Sequence, residues 1–166
     1  MTEQVCFIGL GSNLGSSSDQ LRLALDDIEK LPGTRLLACS SHYRSAPVGY
    51  LDQPDFINAV AKIATTLTPQ ALLSALLQIE RNHGRERKFE NAPRTLDLDV
   101  LLYGAAQIDE PGLTVPHPQM HLRAFVLQPL LEIEPDCEIP VIGSAKLAMQ
   151  DCKDQIVEKL ADRVIN

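Results

Sequence analysis

One ten-residue segment, residues 94–103, restricts the fold of this chain more than any other part of the sequence. Its apolar residues occur at every second position: Leu96, Leu98, Val100 and Leu102. Because side chains alternate between the two faces of a strand, these positions predict one apolar face, and Asp97 and Asp99 project together from the other. The segment therefore predicts a strand in a sheet that is covered on one face and carries two carboxylates on the opposite face.

The two aspartates are unusual for a strand, in which aspartate is disfavoured. The Cα atoms of Asp97 and Asp99 would lie about 6.6 Å apart, so the two negative charges need a counter-ion. Mg²⁺ is commonly bound by one or two carboxylates together with substrate phosphates. The strand alone is compatible with a metal and polyphosphate site and also with a strand end whose carboxylates are solvated.

Length and charge limit the possible classes of protein. The chain has 166 residues, 45% hydrophobic content and no long biased segment, which predicts one globular domain over residues 1–166. Its formal net charge of −7 argues against a general nucleic-acid binder. Five of its 15 basic residues nevertheless fall just before the aspartates: Arg81, Arg85, Arg87, Lys88 and Arg94. A cationic segment in an acidic chain suggests a small anionic ligand.

The cysteines and the hydropathy pattern indicate the compartment. The four cysteines show no C-x-x-C spacing, so we expect buried free thiols and no thiolate metal site. Such thiols suit a reducing compartment. No charged segment followed by an apolar one opens the chain, and no apolar run approaches about 18 residues. We therefore expect a soluble, cytoplasmic protein without a membrane segment.

The order of predicted elements indicates the fold. The first three elements are a strand at 5–10, a helix from Ser17 to Leu31 and a strand at 36–43. A strand at 56–65 follows, and then a second helix that begins with Thr68 as N-cap and Pro69 in its first turn and that ends at Gly84. The last element is the aspartate strand. This order is the ferredoxin-like βαββαβ arrangement, an α+β fold with an antiparallel sheet and both helices on one face. We expect residues 126–133 and about 144–165 to form helical additions.

Three glycines lie at the end of the first predicted strand and in the segment that follows it. Gly9, Gly11 and Gly15 resemble a dinucleotide-binding loop, but the third glycine comes one position late and no acidic residue ends the second strand. The lysine of a P-loop is also missing. A tight turn that needs glycine backbone freedom is the better interpretation.

Two residues on one face of the third strand suggest a flat ligand. Phe56 offers a ring for stacking, and Asn58 offers an amide that both donates and accepts hydrogen bonds. A heteroaromatic ring would use both, with Val48 and Phe125 as further walls. The alternative is a half-buried phenylalanine beside a surface asparagine.

Basic residues on both sides of the aspartates suggest phosphate binding. His117, between two prolines, and Arg123 can both donate to phosphate oxygens, although a lone histidine is often structural. Arg85 and Arg94 bracket the cationic loop, and developing phosphoryl charge is commonly met by arginine, lysine and Mg²⁺. The alternative for this loop is a solvated surface segment.

Several segments together resemble the 6-hydroxymethyl-7,8-dihydropterin pyrophosphokinase family. They are GSNLG at 11–15, PVG at 47–49, DQPDFIN at 52–58, GRER at 84–87, PRTLDLD at 93–99 and PHPQMHLRAFVL at 116–127. The resemblance covers most of the chain. It implies an enzyme of folate biosynthesis that transfers the β,γ-pyrophosphoryl group of ATP to the pterin hydroxymethyl oxygen and releases AMP.

The resemblance also implies roles for individual residues. The implied catalytic residues are Arg85, Arg94, Asp97 and Asp99, of which Asp97 and Asp99 would hold two Mg²⁺ ions. The implied pterin contacts are Ser45, Ala46, Val48, Phe56, Asn58 and Phe125. The implied ATP contacts are Glu80, Arg85, Arg87, Arg94, Thr114, His117 and Arg123. The implied partners are these small molecules, with no nucleic acid and no membrane, and a monomer is expected.

The sequence departs from the family pattern at one point and leaves two other classes open. Family members often carry a tryptophan in the loop before Pro93-Arg94, whereas this chain has no tryptophan and Phe89 is the nearby aromatic residue. A ligand-sensing module of the same fold is one alternative, but it would not need paired aspartates. An RNA-binding module is the other, and 4% aromatic residues with a net negative charge argue against it.

Overall fold

The structure, a computed structural model, has an α+β architecture and describes residues 2–13, 17–46, 55–83 and 96–160. The strands of the main sheet are β1 (Gln4–Ser12), β2 (Thr34–Cys39), β3 (Tyr43–Ser45), β4 (Phe56–Thr65), β5 (Asp97–Tyr103) and β10 (Val157–Lys159). Two small hairpins are formed by β6 (Ile108–Glu110) with β7 (Leu113–Val115) and by β8 (Glu138–Ile139) with β9 (Gly143–Ser144). The helices are α1 (Ser17–Glu29), α2 (Pro69–Asn82), α3 (Ala124–Ile133) and α4 (Ala145–Gln150), with a 3₁₀ turn at Met120–Leu122.

The main sheet is antiparallel at every described pairing, and its order is β10-β3-β4-β1-β5. Strand β2 pairs with the same edge of β4 as β3 does, but further along the strand. The long β4 strand therefore lies in the centre, with β1 on one side and the two short strands on the other. Strand β5, which carries the aspartates, pairs with β1.

The predicted second strand, 36–43, is interrupted in the structure. Strand β2 ends at Cys39 and β3 begins at Tyr43. Between them the Ser40 N–H donates to the Val60 carbonyl, and the Val60 N–H donates to the Ser40 hydroxyl, each across 2.9 Å. Because a side-chain oxygen replaces a backbone acceptor at this point, the chain leaves the regular ladder and re-enters it as a separate strand.

Helices α1 and α2 cover one face of the sheet. As predicted, Thr68 caps α2, and its hydroxyl accepts from the Ala71 N–H across 3.2 Å. The buried residues that these helices contribute are Leu21, Ala24, Leu25, Ile28, Leu72, Leu76 and Ile79, and they pack against Ile8, Leu10, Ala61, Ile63, Leu98 and Val100 of the strands. This cluster is the larger part of the core, and it fixes which residues face the opposite side.

Helix α3 covers part of that opposite face. Its fully buried Leu127 and Leu130 lie in a second cluster with Phe7, Val60 and Leu101. Within the described residues, α3 leaves this face open toward the end of the sheet where β1 and β4 carry polar residues and glycines.

The prediction that Leu102 shares the face of Leu98 and Val100 is wrong. Phe7 pairs with Leu102 and Ile8 pairs with Val100, so Leu101 is an extra residue in β5. A bulge of this kind interrupts the alternation of side chains. Leu102 consequently belongs to the cluster beneath α3.

The predicted C-terminal helix, about 144–165, is much shorter than expected and ends at Gln150. The Gln155 side chain accepts from the Ala124 N–H across 2.9 Å and donates to the Leu122 carbonyl across 2.8 Å. These bonds hold the chain across the start of α3, and the β-branched Ile156 and Val157 then lead into β10 at the sheet edge. No helix within the described ranges has both the length and the hydropathy needed to cross a bilayer.

Candidate active site

The sheet register places two glycines between the predicted ligand-binding strand and the aspartate strand. Gly11 of β1 lies opposite Asn58 of β4 on one side and Asp97 of β5 on the other. Gly9 lies opposite Val60 and Asp99 in the same way. Because residues opposite each other share a face, β1 contributes no side chain between these polar groups. A trough therefore runs along β1.

A cavity of about 160 Å³ lies over this trough. Nine of the residues predicted from the sequence line it: Ser45, Ala46, Phe56, Asn58, Asp97, Asp99, His117, Arg123 and Phe125. They come from β3, β4, β5, the segment after β7 and the start of α3, so residues far apart in the chain meet at one place.

The prediction of a tight turn is wrong for Gly9 and Gly11, and Gly15 lies outside the residues that the structure describes. Gly9 and Gly11 lie within β1 and pair on both sides. Neither is among the described glycines with positive φ, which are Gly33, Gly104, Gly112 and Gly143. Because Gly9 and Gly11 have no side chains, they leave room for the cavity. The Gly-x-Gly spacing matches the period of a strand, and this was the available signal for a glycine-lined surface.

The wall formed by β4 presents an aromatic ring and a buried amide. Phe56 is half-buried, and Asn58 is only 6% exposed. The Asn58 Nδ2 donates to the Ser45 hydroxyl across 2.8 Å. This wall can stack with a flat ring and can hydrogen-bond to its edge.

The opposite wall carries the two carboxylates. Asp97 is half-buried and Asp99 is exposed. The N–H of Leu98, between them, donates across 2.7 Å to Oε2 of Glu80 on α2. Glu80, predicted to contact ATP, is 3% exposed and is not among the residues that line the cavity. Its bond to Leu98 supports the backbone of the aspartate strand from the helical side.

The third wall carries His117, whose ring is oriented by the backbone. Its Nδ1 accepts from the Gln119 N–H across 3.1 Å, so the neutral ring carries its proton on Nε2. Burial lowers the pKa of His117 below its ordinary value, the Asp99 carboxylate acts against this, and the positive charge of Arg123 lowers the pKa further. The backbone N–H of His117 donates to the Leu101 carbonyl across 3.0 Å, which ties this segment to β5.

Arg123 and Phe125 lie next to each other beside His117. The guanidinium carbon of Arg123 lies 5.6 Å from the centre of the Phe125 ring, a cation–π distance. The cavity thus has an apolar and amide end near β4 and a region where cationic and anionic side chains face each other near β5.

A second cleft, with a volume of about 270 Å³, adjoins this cavity. The two share Asp99 and His117, and Thr114, another predicted ATP contact, lines the second cleft. A ligand longer than a single ring could therefore extend from the cavity past the aspartates.

Comparison with known proteins agrees with this geometry. The family model described as 7,8-dihydro-6-hydroxymethylpterin-pyrophosphokinase matches residues 7–135. The chain belongs to this pyrophosphokinase family.

Curated relatives of this pyrophosphokinase family are similar over most of the chain. A protein of Pseudomonas aeruginosa named 2-amino-4-hydroxy-6-hydroxymethyldihydropteridine pyrophosphokinase is 50% identical over 157 residues, which cover 95% of this chain and 97% of the relative. A protein of Haemophilus influenzae with the same name is 50% identical over 134 residues, covering 81% of this chain and 84% of the relative.

Solved structures of HPPK-DHPS proteins share the fold, where HPPK abbreviates the pyrophosphokinase family named above. One, described as HPPK-DHPS in complex with substrates, matches with a TM-score of 0.74 at 14% identity over 92% of this chain and 44% of its own. Wild-type Plasmodium falciparum HPPK-DHPS matches with a TM-score of 0.74 at 14% identity over 90% of this chain and 45% of its own. This chain therefore spans less than half the length of those proteins.

The donors near β5 fit a hard cation that is only partly enclosed by protein. Within the described ranges, no group of three or more histidine, cysteine, aspartate or glutamate residues could hold a metal. Two carboxylates on one strand face fit Mg²⁺, which usually keeps water and phosphate oxygens as its remaining ligands.

Some predicted site residues cannot be located. Val48, Arg85, Arg87 and Arg94 lie outside the residues that the structure describes, as does Phe89. Their predicted roles stay predictions.

Proposed function

We propose that this protein transfers the β,γ-pyrophosphoryl group of ATP to the hydroxymethyl group of 6-hydroxymethyl-7,8-dihydropterin and releases AMP, a step of folate biosynthesis. The observation that carries the proposal is the trough along β1, which separates a ring-binding wall at Asn58 from a carboxylate wall at Asp97. The family match and the names of relatives at 50% identity support the same reaction.

The dimensions of the trough suit a bicyclic ring. Neighbouring strands lie about 4.8 Å apart, so β4 and β5 are separated by roughly 9.6 Å across β1. A pterin lying on the glycines would place its amide edge near Asn58, its face against Phe56 and its hydroxymethyl group toward Asp97. The polyphosphate would then extend toward the second cleft, which contains Thr114.

The proposed reaction is a substitution at the β-phosphorus. The hydroxymethyl oxygen forms a bond to this phosphorus, the bond from the same phosphorus to the oxygen that bridges to the α-phosphorus breaks, and AMP leaves with that oxygen. The hydroxyl proton passes to a carboxylate or to solvent. Transfers of this kind depend mainly on positioning and electrostatic stabilisation, so a strong general base is not required.

The residues of the chain would supply complementary charge around the phosphates. Neutral His117 would donate from Nε2, and Arg123 would donate from its planar guanidinium. The predicted Arg85, Arg87 and Arg94 would add cationic donors. Glu80 would act through the Leu98 backbone, which lies between the two aspartates.

We propose that Asp97 and Asp99 hold two Mg²⁺ ions. When bound, the metal would neutralise phosphate charge and align the polyphosphate. Both carboxylates line the same cavity, which supports a shared metal site at this place.

The remaining parts of the proposal concern the protein as a whole. The ferredoxin-like interpretation is supported by the antiparallel order β2-β4-β1-β5 with α1 and α2 on one face. We further propose that the chain is a single domain over residues 1–166, that it acts as a cytoplasmic monomer, that Val48 completes the pterin pocket, and that its ligands are small molecules and not nucleic acids.

The decisive experiment identifies the nucleotide product. The protein is incubated with ATP, Mg²⁺ and reduced hydroxymethylpterin, with a chelator control, and the products are analysed by mass spectrometry. AMP together with a pyrophosphorylated pterin is the expected result. ADP would indicate transfer of a single phosphoryl group, and a lack of metal-dependent turnover would favour a ligand-binding module.

A further inference from the structure

The Asn58 amide is restricted from two sides. At its nitrogen end, Nδ2 donates to the Ser45 hydroxyl across 2.8 Å, and both residues are 6% exposed. At its oxygen end, Asn58 faces Gly11, and a Cβ added to Gly11 would lie 3.1 Å from the Asn58 Oδ1. The amide is thus held by a hydroxyl at one end and lies against a backbone without a side chain at the other.

We infer that Ser45 and Gly11 are positioning residues that set the direction of the Asn58 amide and thereby determine which ring edge the cavity accepts. This inference rests on the proposed function. With one Nδ2 hydrogen committed to Ser45, the amide offers Oδ1 as an acceptor and its second Nδ2 hydrogen as a donor. A matching ligand edge presents a donor beside an acceptor, as the N3–H and the C4 carbonyl of a pterin do.

The Ser45 hydroxyl is itself held in place by the sheet. Ser45 pairs with Phe56 on β4 and with Val157 on β10, so its backbone is fixed from both sides. A fixed hydroxyl that is only 6% exposed orients a neighbouring amide more effectively than an exposed one does, because less water competes for the amide.

Gly11 acts by leaving space. The nearest heavy atom to a methyl group at this position would be Oδ1 of Asn58, and the next is the Ile57 carbonyl oxygen at 3.9 Å. An alanine in place of Gly11 therefore acts mainly on the amide oxygen. Removal of the Ser45 hydroxyl should perturb the Asn58 amide at its nitrogen end, and addition of a methyl group at Gly11 should perturb it at its oxygen end.

The test measures ligand discrimination. Binding of 6-hydroxymethylpterin and of its 2,4-diamino analogue is measured by calorimetry, with an ATP analogue that carries a methylene group between the α- and β-phosphorus so that no transfer occurs. The analogue reverses the donor and the acceptor of the edge, because its N3 is unprotonated and its C4 bears an amino group. The variants are Ser45→Ala and Gly11→Ala, and Ser74→Ala at an exposed position of α2 is the control.

The wild-type protein should prefer the pterin over the diamino analogue by about a hundredfold or more, as expected of a site built around buried polar groups. Ser45→Ala should weaken pterin binding by about three- to tenfold and lower the preference, because the amide can then rotate. Gly11→Ala should lower the preference as well. Affinity for the ATP analogue should stay at the wild-type value in Ser45→Ala, which shows that the variant is folded. Its unfolding midpoint should fall slightly, because the buried Asn58 amide loses its acceptor.

The outcomes separate this inference from the proposed function. If the wild-type protein binds no pterin with the ATP analogue present, the proposed function fails. If the wild type binds pterin and Ser45→Ala weakens both ligands equally or neither of them, Ser45 has at most a structural role and the inference is overturned while the proposed function stands.

Discussion

The Glu132 carboxylate should stabilise the fold at neutral pH and should lose this effect in acid. It lies on α3 and accepts hydrogen bonds from three donors in the segment that leads into β3, which forms part of the cavity wall. The Ser41 N–H donates to it at 3.1 Å, the Ser41 hydroxyl at 2.9 Å and the Tyr43 hydroxyl at 2.6 Å. Both donor residues are 2% exposed, so replacement of Glu132 by alanine removes the partners of buried groups.

The expected magnitude follows from these bonds. A hydrogen bond to a charged group contributes about 1.5–3 kcal/mol, but Glu132 is itself exposed and water can partly replace its carboxylate. We therefore expect Glu132→Ala to lower the free energy of unfolding at pH 7 by about 2 kcal/mol, well below the sum of the three bonds. For a chain of this length, such a loss lowers the melting temperature by roughly 4–8 °C.

The pH dependence has a definite sign. Burial by itself raises the pKa of Glu132, but hydrogen bonds from Tyr43 and Ser41 and the charge of Lys159 outweigh it, so the pKa lies below its ordinary value of 4.5. A depressed pKa stabilises the folded state above the unfolded-state pKa, and this stabilisation is lost as pH falls through the folded-state pKa. The difference between wild type and Glu132→Ala should therefore be complete at pH 7 and should shrink below about pH 4.5.

Urea denaturation followed by circular dichroism at several pH values between 3 and 7 measures this difference. Glu138→Ala, at an exposed position of the β8–β9 hairpin, is the control and should change stability by less than about 0.5 kcal/mol. A Glu132→Ala difference that is independent of pH, or one no larger than that of the control, would refute the account of this carboxylate.

Four further predictions concern other parts of the molecule. Asp97→Asn should reduce Mg²⁺-dependent turnover by about a hundredfold or more while pterin affinity changes little, and near-normal turnover in a coupled assay would contradict the metal assignment. Glu80→Ala should lower the free energy of unfolding by about 2 kcal/mol and Glu80→Gln by less, because glutamine keeps an oxygen for the Leu98 N–H; equal losses in urea denaturation would contradict this. Leu127→Ala, at a fully buried position of α3, should cost about 2–5 kcal/mol by the same measurement, and a cost under about 1 kcal/mol would show that α3 contributes little to the core. Burial raises the pKa of Cys6 to about 12, so iodoacetamide should modify it at pH 8 far more slowly in the folded than in the unfolded protein, as peptide mass mapping can measure.

Local signals predicted the elements that depend on local interactions. The apolar repeat and the Thr68-Pro69 start led to the observed beginning of α2, and the run at 56–65 coincides with β4. The parts that differed depend on contacts between distant residues. The break at Ser40 requires Val60, and the early end of α4 requires Gln155 to reach the start of α3. The local sequence around Ser40 or around α4 does not reveal these distant partners, so neither break could be predicted from it.

The candidate site was predictable to the extent that its residue types were chemically distinctive. Aspartates on a strand, an amide beside a ring and a histidine between prolines each drew attention alone. The glycines drew attention only as a loop motif, because a missing side chain indicates a ligand surface only when its neighbours across the sheet are known. Gly11 can be recognised as part of the site only because it lies opposite Asn58 and Asp97, which are 47 and 86 positions away in the chain.

The core on one face of the sheet determines the site on the other. Cys6, Ile8 and Leu10 of β1 are buried against α1 and α2, so Gly9 and Gly11 must face the opposite side. The same alternation buries residues 59, 61 and 63 of β4 and residues 98 and 100 of β5. A shift of any of these strands by one residue would turn its apolar side chains outward and its polar ones into the core, at a large cost in free energy. The register that aligns an amide, a glycine and a carboxylate across three strands is therefore specified by hydrophobic residues that never contact a ligand.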